Sequence, residues 1–234
     1  MVSNSFLLKS QMNNIIFFRR DRMSPKEQVY KFISEQLTLG NINPKDHLTE
    51  QFLADKIGLS RTPIREALLL LSADSILERE PRKGYRIKVY SQKDVEQLYV
   101  VIGTLEGKIA ELTIDCLNSD DYQLMKFLID SMYSAVDHKL YTKYNDLQEQ
   151  FHNVYITKCS NKFITQELSA AKRVFIGKNY LHLNQENVQL ILKRTNQQHE
   201  KIEQLFEDGK KSELRKYLEM IHWSPSTAKY DIWQ

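Results

Sequence analysis

The sequence predicts a mainly α protein in two parts: a small helical unit closed by a β-hairpin, then a bundle of about six helices. Three observations lead there. Gly and Pro number only 7 and 5 in 234 residues, so the chain has few breakers. Two helical patterns joined by the short turn Gly58-Leu59-Ser60 precede a stretch of strand period over residues 76–89. From residue 91 to about 222 the apolar spacing is helical throughout. Apolar residues at 41% and charged residues at 27% are ordinary for a globular chain and exclude wholesale disorder. The scarcity of Gly and Pro excludes a collagen-like chain or an all-β sandwich. No apolar run is long enough for a membrane span.

Each element has a local cause. Residues 1–23 read as a loosely structured extension, with no signal-peptide pattern, and a cytoplasmic protein is expected. Ser24-Pro25-Lys26-Glu27 opens a first helix, with Ser24 and Glu27 at capping-box spacing and Pro25 where its missing N–H costs nothing. Val29, Phe32, Ile33 and Leu37 mark its apolar face, and Gly40 stops it. Thr49 caps a second helix to Ile57. Ser60 is placed to cap a third, with Pro63 in its first turn and Ile64, Ala67, Leu68 and Leu71 on one face. Tyr85, Ile87 and Val89 then alternate with Arg86 and Lys88, and Pro81-Arg82-Lys83-Gly84 forms a basic hairpin tip. Helix-turn-helix plus such a hairpin is a winged helix, expected over residues 24–90.

The bundle is expected over residues 91–224. Ser91 with Asp94, and Asn118 with Asp121, open its first two helices, to about Cys116 and His138. Further helices are expected near 140–158, 161–180, 186–207 and 210–222, with an irregular tail over 225–234. Cys116 and Cys159 have no metal-type spacing and read as free thiols in a reducing compartment. Charge divides the same way. Residues 1–90 hold 15 Lys/Arg against 10 Asp/Glu, whereas residues 91–234 hold 18 against 20. The basic part therefore suits a polyanion partner.

Residue chemistry in the basic part points to double-stranded DNA. Arg61 and Arg65 project from the start of the third helix about one turn apart, where a guanidinium fork can grip guanine O6 and N7. Ser60, Thr62 and the free N–H groups around Pro63 suit phosphate oxygens. Arg82, Lys83 and Gly84 at the tip can enter an adjacent minor groove. The stretch Leu48-Thr49-Glu50, Leu53-Ala54, Ile57-Gly58 and Ser60-Arg61-Thr62-Pro63-Ile64-Arg65-Glu66-Ala67-Leu68, ending in Pro81-Arg82-Lys83-Gly84-Tyr85, resembles the DNA-binding domain of the GntR family of bacterial transcription regulators. Gln51 departs from the resemblance, standing where many members carry Arg. Residues 91–224 resemble the FCD ligand-sensing domain of the FadR-like branch, through Leu105-Glu106-Gly107, Phe151-His152 with Asn161, and His199, Ile202 and Gly209.

The resemblance implies a ligand-controlled regulator, most often a repressor. Homodimers would read two half-sites of an operator, and a small effector, a carboxylate metabolite by family analogy, would enter the bundle. It also implies one divalent metal (zinc, nickel or manganese) held by one Asp and three His. Here His152 and His199 match, but Gln148 stands in the Asp place. A neutral amide is a poor ligand for such metals. Asp146 lies roughly 120° off the required face. The last His position falls on Ile221, with His222 one residue late, so a local bulge or a shifted loop at 209–211 would be needed. The expected set is therefore His152, His199 and His222, completed by Gln148 or water. Ile102 replaces an Arg that many members place there. His47, His138 and His182 have no partners at ligand spacing, and Lys172-Arg173 reads as a solvent-facing pair. No catalytic triad or Gly-rich phosphate motif is present, so no enzyme is expected. Two other readings remain open: a constitutive dimeric DNA binder with a degenerate ligand pocket, and a helical metalloenzyme.

Overall fold

A computed structural model describes residues 23–176 and 185–230. The extension before Met23, the helix ends expected within 177–184 (with His182) and residues 231–234 lie outside the described residues. The architecture is the predicted one, a winged helix-turn-helix followed by a helical domain. The chain divides into two compact units, Met1–Ser34 with Pro44–Lys88, and Glu35–Asn43 with Val89–Gln234.

The first unit holds α1 (Pro25–Thr38) up to Ser34, α2 (Glu50–Ile57), α3 (Arg61–Ala73), β1 (Leu77–Glu80) and β2 (Gly84–Ile87). The Ser24–Glu27 capping box forms in both directions. Thr49 accepts from the Phe52 N–H, and Gly58 closes α2 in the left-handed region at φ 83°. Ser60 differs from expectation. Its backbone takes the N-cap conformation, but its side chain makes no capping bond. Pro63 explains this, because it occupies the third helical position, whose N–H a capping hydroxyl would bind.

β1 and β2 pair antiparallel, with Leu77 opposite Ile87 and Glu80 opposite Gly84. Leu48 adds an isolated antiparallel bridge to β2, exchanging backbone hydrogen bonds with Tyr85. Ile64, Leu68, Leu71, Leu53, Tyr85 and Ile87 are buried in this unit. The start of α3 is thereby held on a packed base with its polar face outward. Gly84 is required by this junction. Its φ is 104°, and a Cβ there would lie 2.7 Å from the Leu48 carbonyl oxygen. Gly84→Ala is expected to destabilise the winged unit by about 1–3 kcal/mol through backbone strain alone. Denaturant unfolding monitored on this unit checks it; an unchanged midpoint would refute the account.

The second unit contains α4 (Gln92–Thr113), α5 (Ser119–Asp137), α6 (Tyr141–Ile156), α7 (Lys162–Arg173), α8 (Gln185–Glu207) and α9 (Lys211–Tyr217). Ser91 with Asp94 and Asn118 with Asp121 form complete capping boxes. A short 3-10 turn, Ile114–Cys116, ends the first long helix. Ile102, Ile109, Met125, Met132, Tyr144, Phe151, Ile202 and Leu214 are among the residues of one apolar core. Two departures appear near the C-terminus. After α9 the helix widens into a π-turn, Leu218–His222. The expected irregular tail instead begins as a 3-10 turn, Pro225–Tyr230, because the Ser224 carbonyl accepts from both the amide and the hydroxyl of Thr227. Ala228 is fully buried there and joins the core.

Glycines let these last segments approach α4. A Cβ on Gly103 would lie 3.0 Å from the Trp223 Cβ, and one on Gly107 3.0 Å from the Arg215 carbonyl oxygen. The backbone around the π-turn is thus seated directly on α4.

Candidate functional site

The DNA-facing candidates are all displayed at the surface of the first unit. Arg61 and Arg65 side chains are 61% and 56% exposed at the start of α3. Both meet Glu50 of α2. Arg65 donates to it through Nε and Nη2, each at 2.9 Å, and Arg61 Nη2 lies 3.5 Å away. The Arg65 hydrogen bonds, with the charges of both arginines, hold the Glu50 carboxyl below its ordinary range despite some burial. Arg65 therefore presents an oriented guanidinium with one edge on Glu50. Gln51, exposed on the same helix, donates from its amide to Asp55 at 2.8 Å. Ser60, Thr62, Arg82 and Lys83 are exposed, and Pro63 and Gly84 are half-buried. Arg82 takes a positive φ of 67° at the tip. Glu80 lies beneath, paired with His47 at 2.8 Å and with Arg86 at 3.1 Å.

The second unit holds the histidine centre. His152 on α6, His199 on α8 and His222 in the π-turn are all buried, and one ring nitrogen from each lies within 4.8 Å of the others. The late position of His222 is resolved by the π-turn. One extra residue per turn leaves Ile221 47% exposed and rotates His222 inward. Of the two alternatives open in the sequence, the local bulge is the one present. Gln148 is half-buried one turn before His152, while Asp146 is exposed on the outer face.

Partners of the Nδ1 atoms dictate the tautomers. His152 Nδ1 lies 2.7 Å from Glu106 Oε1 and 2.8 Å from the Tyr155 oxygen. The Tyr155 hydroxyl spends its proton on Glu106 at 2.6 Å, so both neighbours can only accept from His152. His199 Nδ1 faces Asn196 Oδ1 at 3.3 Å, and the Asn196 amide donates to the Ile129 carbonyl, which fixes its orientation. His222 Nδ1 faces Gln198 Oε1 at 3.1 Å. With its proton on Nδ1, each ring turns an Nε2 lone pair inward. The Nε2 atoms of His152 and His222 stand 3.3 Å apart. Two lone pairs at that distance repel unless a proton or a metal cation joins them, and two Zn–N bonds of about 2.0–2.1 Å at a tetrahedral angle span roughly 3.3 Å. The residues present fit a divalent metal.

Glu106 is fully buried, and Lys172 pairs with its second oxygen. Burial raises the Glu106 pKa, but the interactions with His152 and Lys172 outweigh it and hold the carboxyl well below its ordinary range. Burial and the neighbouring carboxylate push the Tyr155 phenol well above 10, which keeps it a donor. The expected solvent-facing role of Lys172 is thus corrected. Its ammonium turns inward to Glu106 and lies 5.2 Å over the Trp223 ring. Sequence reasoning passed over Glu106 as an outer partner of His152. The available signal was its place in the stripe Ile102, Glu106, Ile109 and Thr113, where an ionisable group stands among core positions. His47 pairs with Glu80, and His138 with the Ser134 carbonyl.

Family comparison decides what these two sites belong to. The model named "Bacterial regulatory proteins, gntR family" matches residues 25–87, and that of the FCD domain matches residues 97–221, more than half of the chain. The chain belongs to the GntR family of bacterial regulators. Among curated GntR relatives, the uncharacterised HTH-type regulator YdhC of Bacillus subtilis is 28% identical over 63% of this chain. The transcriptional repressor GlaR of Escherichia coli is 23% identical over 58%. The matched stretches span 66% and 64% of those relatives, just under two thirds of their length. Among solved structures, Escherichia coli McbR/YncC superposes with a TM-score of 0.75 at 18% identity, covering 89% of this chain and 98% of that one. A GntR regulator from Rhodococcus gives 0.64 at 14%, with the same coverage. These likenesses speak to the fold of a GntR regulator.

Proposed function

We propose that this chain is a homodimeric, sequence-specific DNA-binding repressor whose operator affinity is set by a small effector held in the FCD bundle. Arg61, Arg65 and Gln51 face the major groove, Ser60, Thr62 and the backbone around Pro63 take phosphates, and Arg82, Lys83 and Gly84 take the adjacent groove. One divalent metal (zinc, nickel or manganese) is held by His152, His199 and His222, with Gln148 or water beside it. The observation that carries the sensing half is the convergence of a ring nitrogen from each of three histidines in a buried centre. The metal supplies a positive Lewis-acidic centre able to take an anionic group such as a carboxylate. The chain's own residues hold the three rings in one tautomer and exclude water around them. Control requires that the effector bind one arrangement of the dimer more tightly than the other. Relatives named as repressors, GlaR among them, support the sign of regulation.

Gel shifts on DNA upstream of the chain's own gene, with and without added carboxylates, test this reading. Retardation at low salt that is relieved by one carboxylate is expected. Failure to retard any promoter-proximal DNA at low salt overturns it. Retardation that no small molecule or metal alters would instead leave a constitutive binder. No helix among the described residues is long and apolar enough to cross a membrane.

A further inference from the structure

We infer that Glu106 is the positioning carboxylate of the histidine centre: it locks His152 with Nε2 as the coordinating atom and supplies, one bond further out, the negative charge that Gln148 does not. The inference rests on the proposed metal reading and goes beyond it, because Glu106 is no ligand in that set.

Three observations carry it. First, Glu106 and Tyr155 both accept from His152 Nδ1, at 2.7 and 2.8 Å, so the alternative tautomer would leave Nδ1 without a proton to give to two acceptors. The other two rings are held by neutral amides, of Asn196 and Gln198. His152 is held by a carboxylate, and it is the ring one turn from neutral Gln148. Second, Glu106 is 0% exposed, on a helix face otherwise made of core residues. A buried carboxylate is costly unless it is paired, and its partners are His152, Tyr155 and Lys172. Third, a carboxylate accepting the outer N–H of a ligating imidazole makes the inner nitrogen a stronger donor, and such partners typically govern metal affinity by about 10–100-fold. Lys172 balances the carboxylate from the side away from His152 and is 27% exposed, so it can turn to water when that charge is removed.

The test is zinc and nickel affinity, by competition with a chromophoric chelator, on the purified full chain and on Glu106→Gln, Glu106→Ala and His199→Ala. Ring 15N shifts of the metal-free protein are read alongside. Glu106→Gln keeps an acceptor for Nδ1–H and removes only the charge. It is expected to fold normally, keep the His152 tautomer and bind metal about 10–100-fold more weakly. Glu106→Ala removes the acceptor as well and is expected to lose more affinity and to mix the His152 tautomers. His199→Ala removes a ligand and marks the level at which the centre is gone. Wild-type affinity in Glu106→Gln with a normal fold would overturn the inference while leaving the metal reading intact. An Nε2-protonated His152 in the wild-type chain would also overturn it. Absence of metal binding by the wild-type chain itself, at any zinc or nickel concentration below precipitation, would remove the metal reading, and this inference with it.

Discussion

His222→Ala is expected to abolish tight metal binding, lowering affinity by more than the roughly 10–100-fold that an outer partner controls. The effect is large because, among the described residues, three strong ligands converge here and no carboxylate joins them. Metal at about a hundred times its dissociation constant stabilises a folded chain by about 2.7 kcal/mol. For a unit of this size that is on the order of 5–10 °C in melting temperature. The wild-type chain should show that rise with zinc or nickel, and His222→Ala should not. A companion variant isolates the cause of the geometry. Met220 is 67% exposed in the π-turn, so deleting it should convert Leu218–His222 into an ordinary helical turn and keep the histidine inward. That deletion is expected to retain metal binding within about tenfold. If the deletion abolished binding as His222→Ala does, the extra residue would be more than a tolerated insertion. If neither variant altered the metal-induced shift, His222 would be no ligand.

What the sequence shows of this fold follows the range over which its causes act. The caps at Thr49, Ser91 and Asn118 are set by residues within three positions, and all three form as expected. The helix-turn-helix and hairpin were readable because Gly58 and Gly84 punctuate them at fixed spacing. Ser60 shows the limit of local rules, since the same Pro63 that helps start α3 removes the N–H that a cap would bind. His222 was legible as a residue type but one step out of register, and only the seating of the π-turn on Gly103 and Gly107 of α4 decides where it points. Glu106 and Lys172 were the hardest to read. They are 66 positions apart, and charged residues on helices ordinarily face water. Their pairing follows from packing between α4 and α7, to which no local pattern refers.

Arg61→Ala and Arg65→Ala are both expected to weaken operator binding, by about 1–3 kcal/mol for each guanidinium–base interaction removed, which is roughly 5–150-fold. The two should not be equal. Arg61 is only loosely paired with Glu50, at 3.5 Å, so its removal mainly takes away one base interaction and one positive charge. Arg65 is gripped through two nitrogens at 2.9 Å. Its removal also takes away the hydrogen bonds that most strongly neutralise Glu50. A carboxylate would then stand at the start of the recognition helix, facing a surface meant for phosphates, and like charges there repel. Arg65→Ala is therefore expected to be the more damaging variant, and adding Glu50→Gln to it should recover part of the affinity. Glu50→Gln added to Arg61→Ala should recover less, because Arg65 still covers the carboxylate. Fluorescence anisotropy on one labelled operator at fixed salt reads all four variants. The slope of log affinity against log salt should fall by less than the one unit expected for a lost phosphate contact, because both arginines are assigned to bases. Both side chains are more than half exposed and lie outside the apolar core, so melting temperatures should stay near wild type. Equal weakening with no rescue would mean that Glu50 is a bystander. Unchanged affinity in both single variants would mean that α3 does not read the operator.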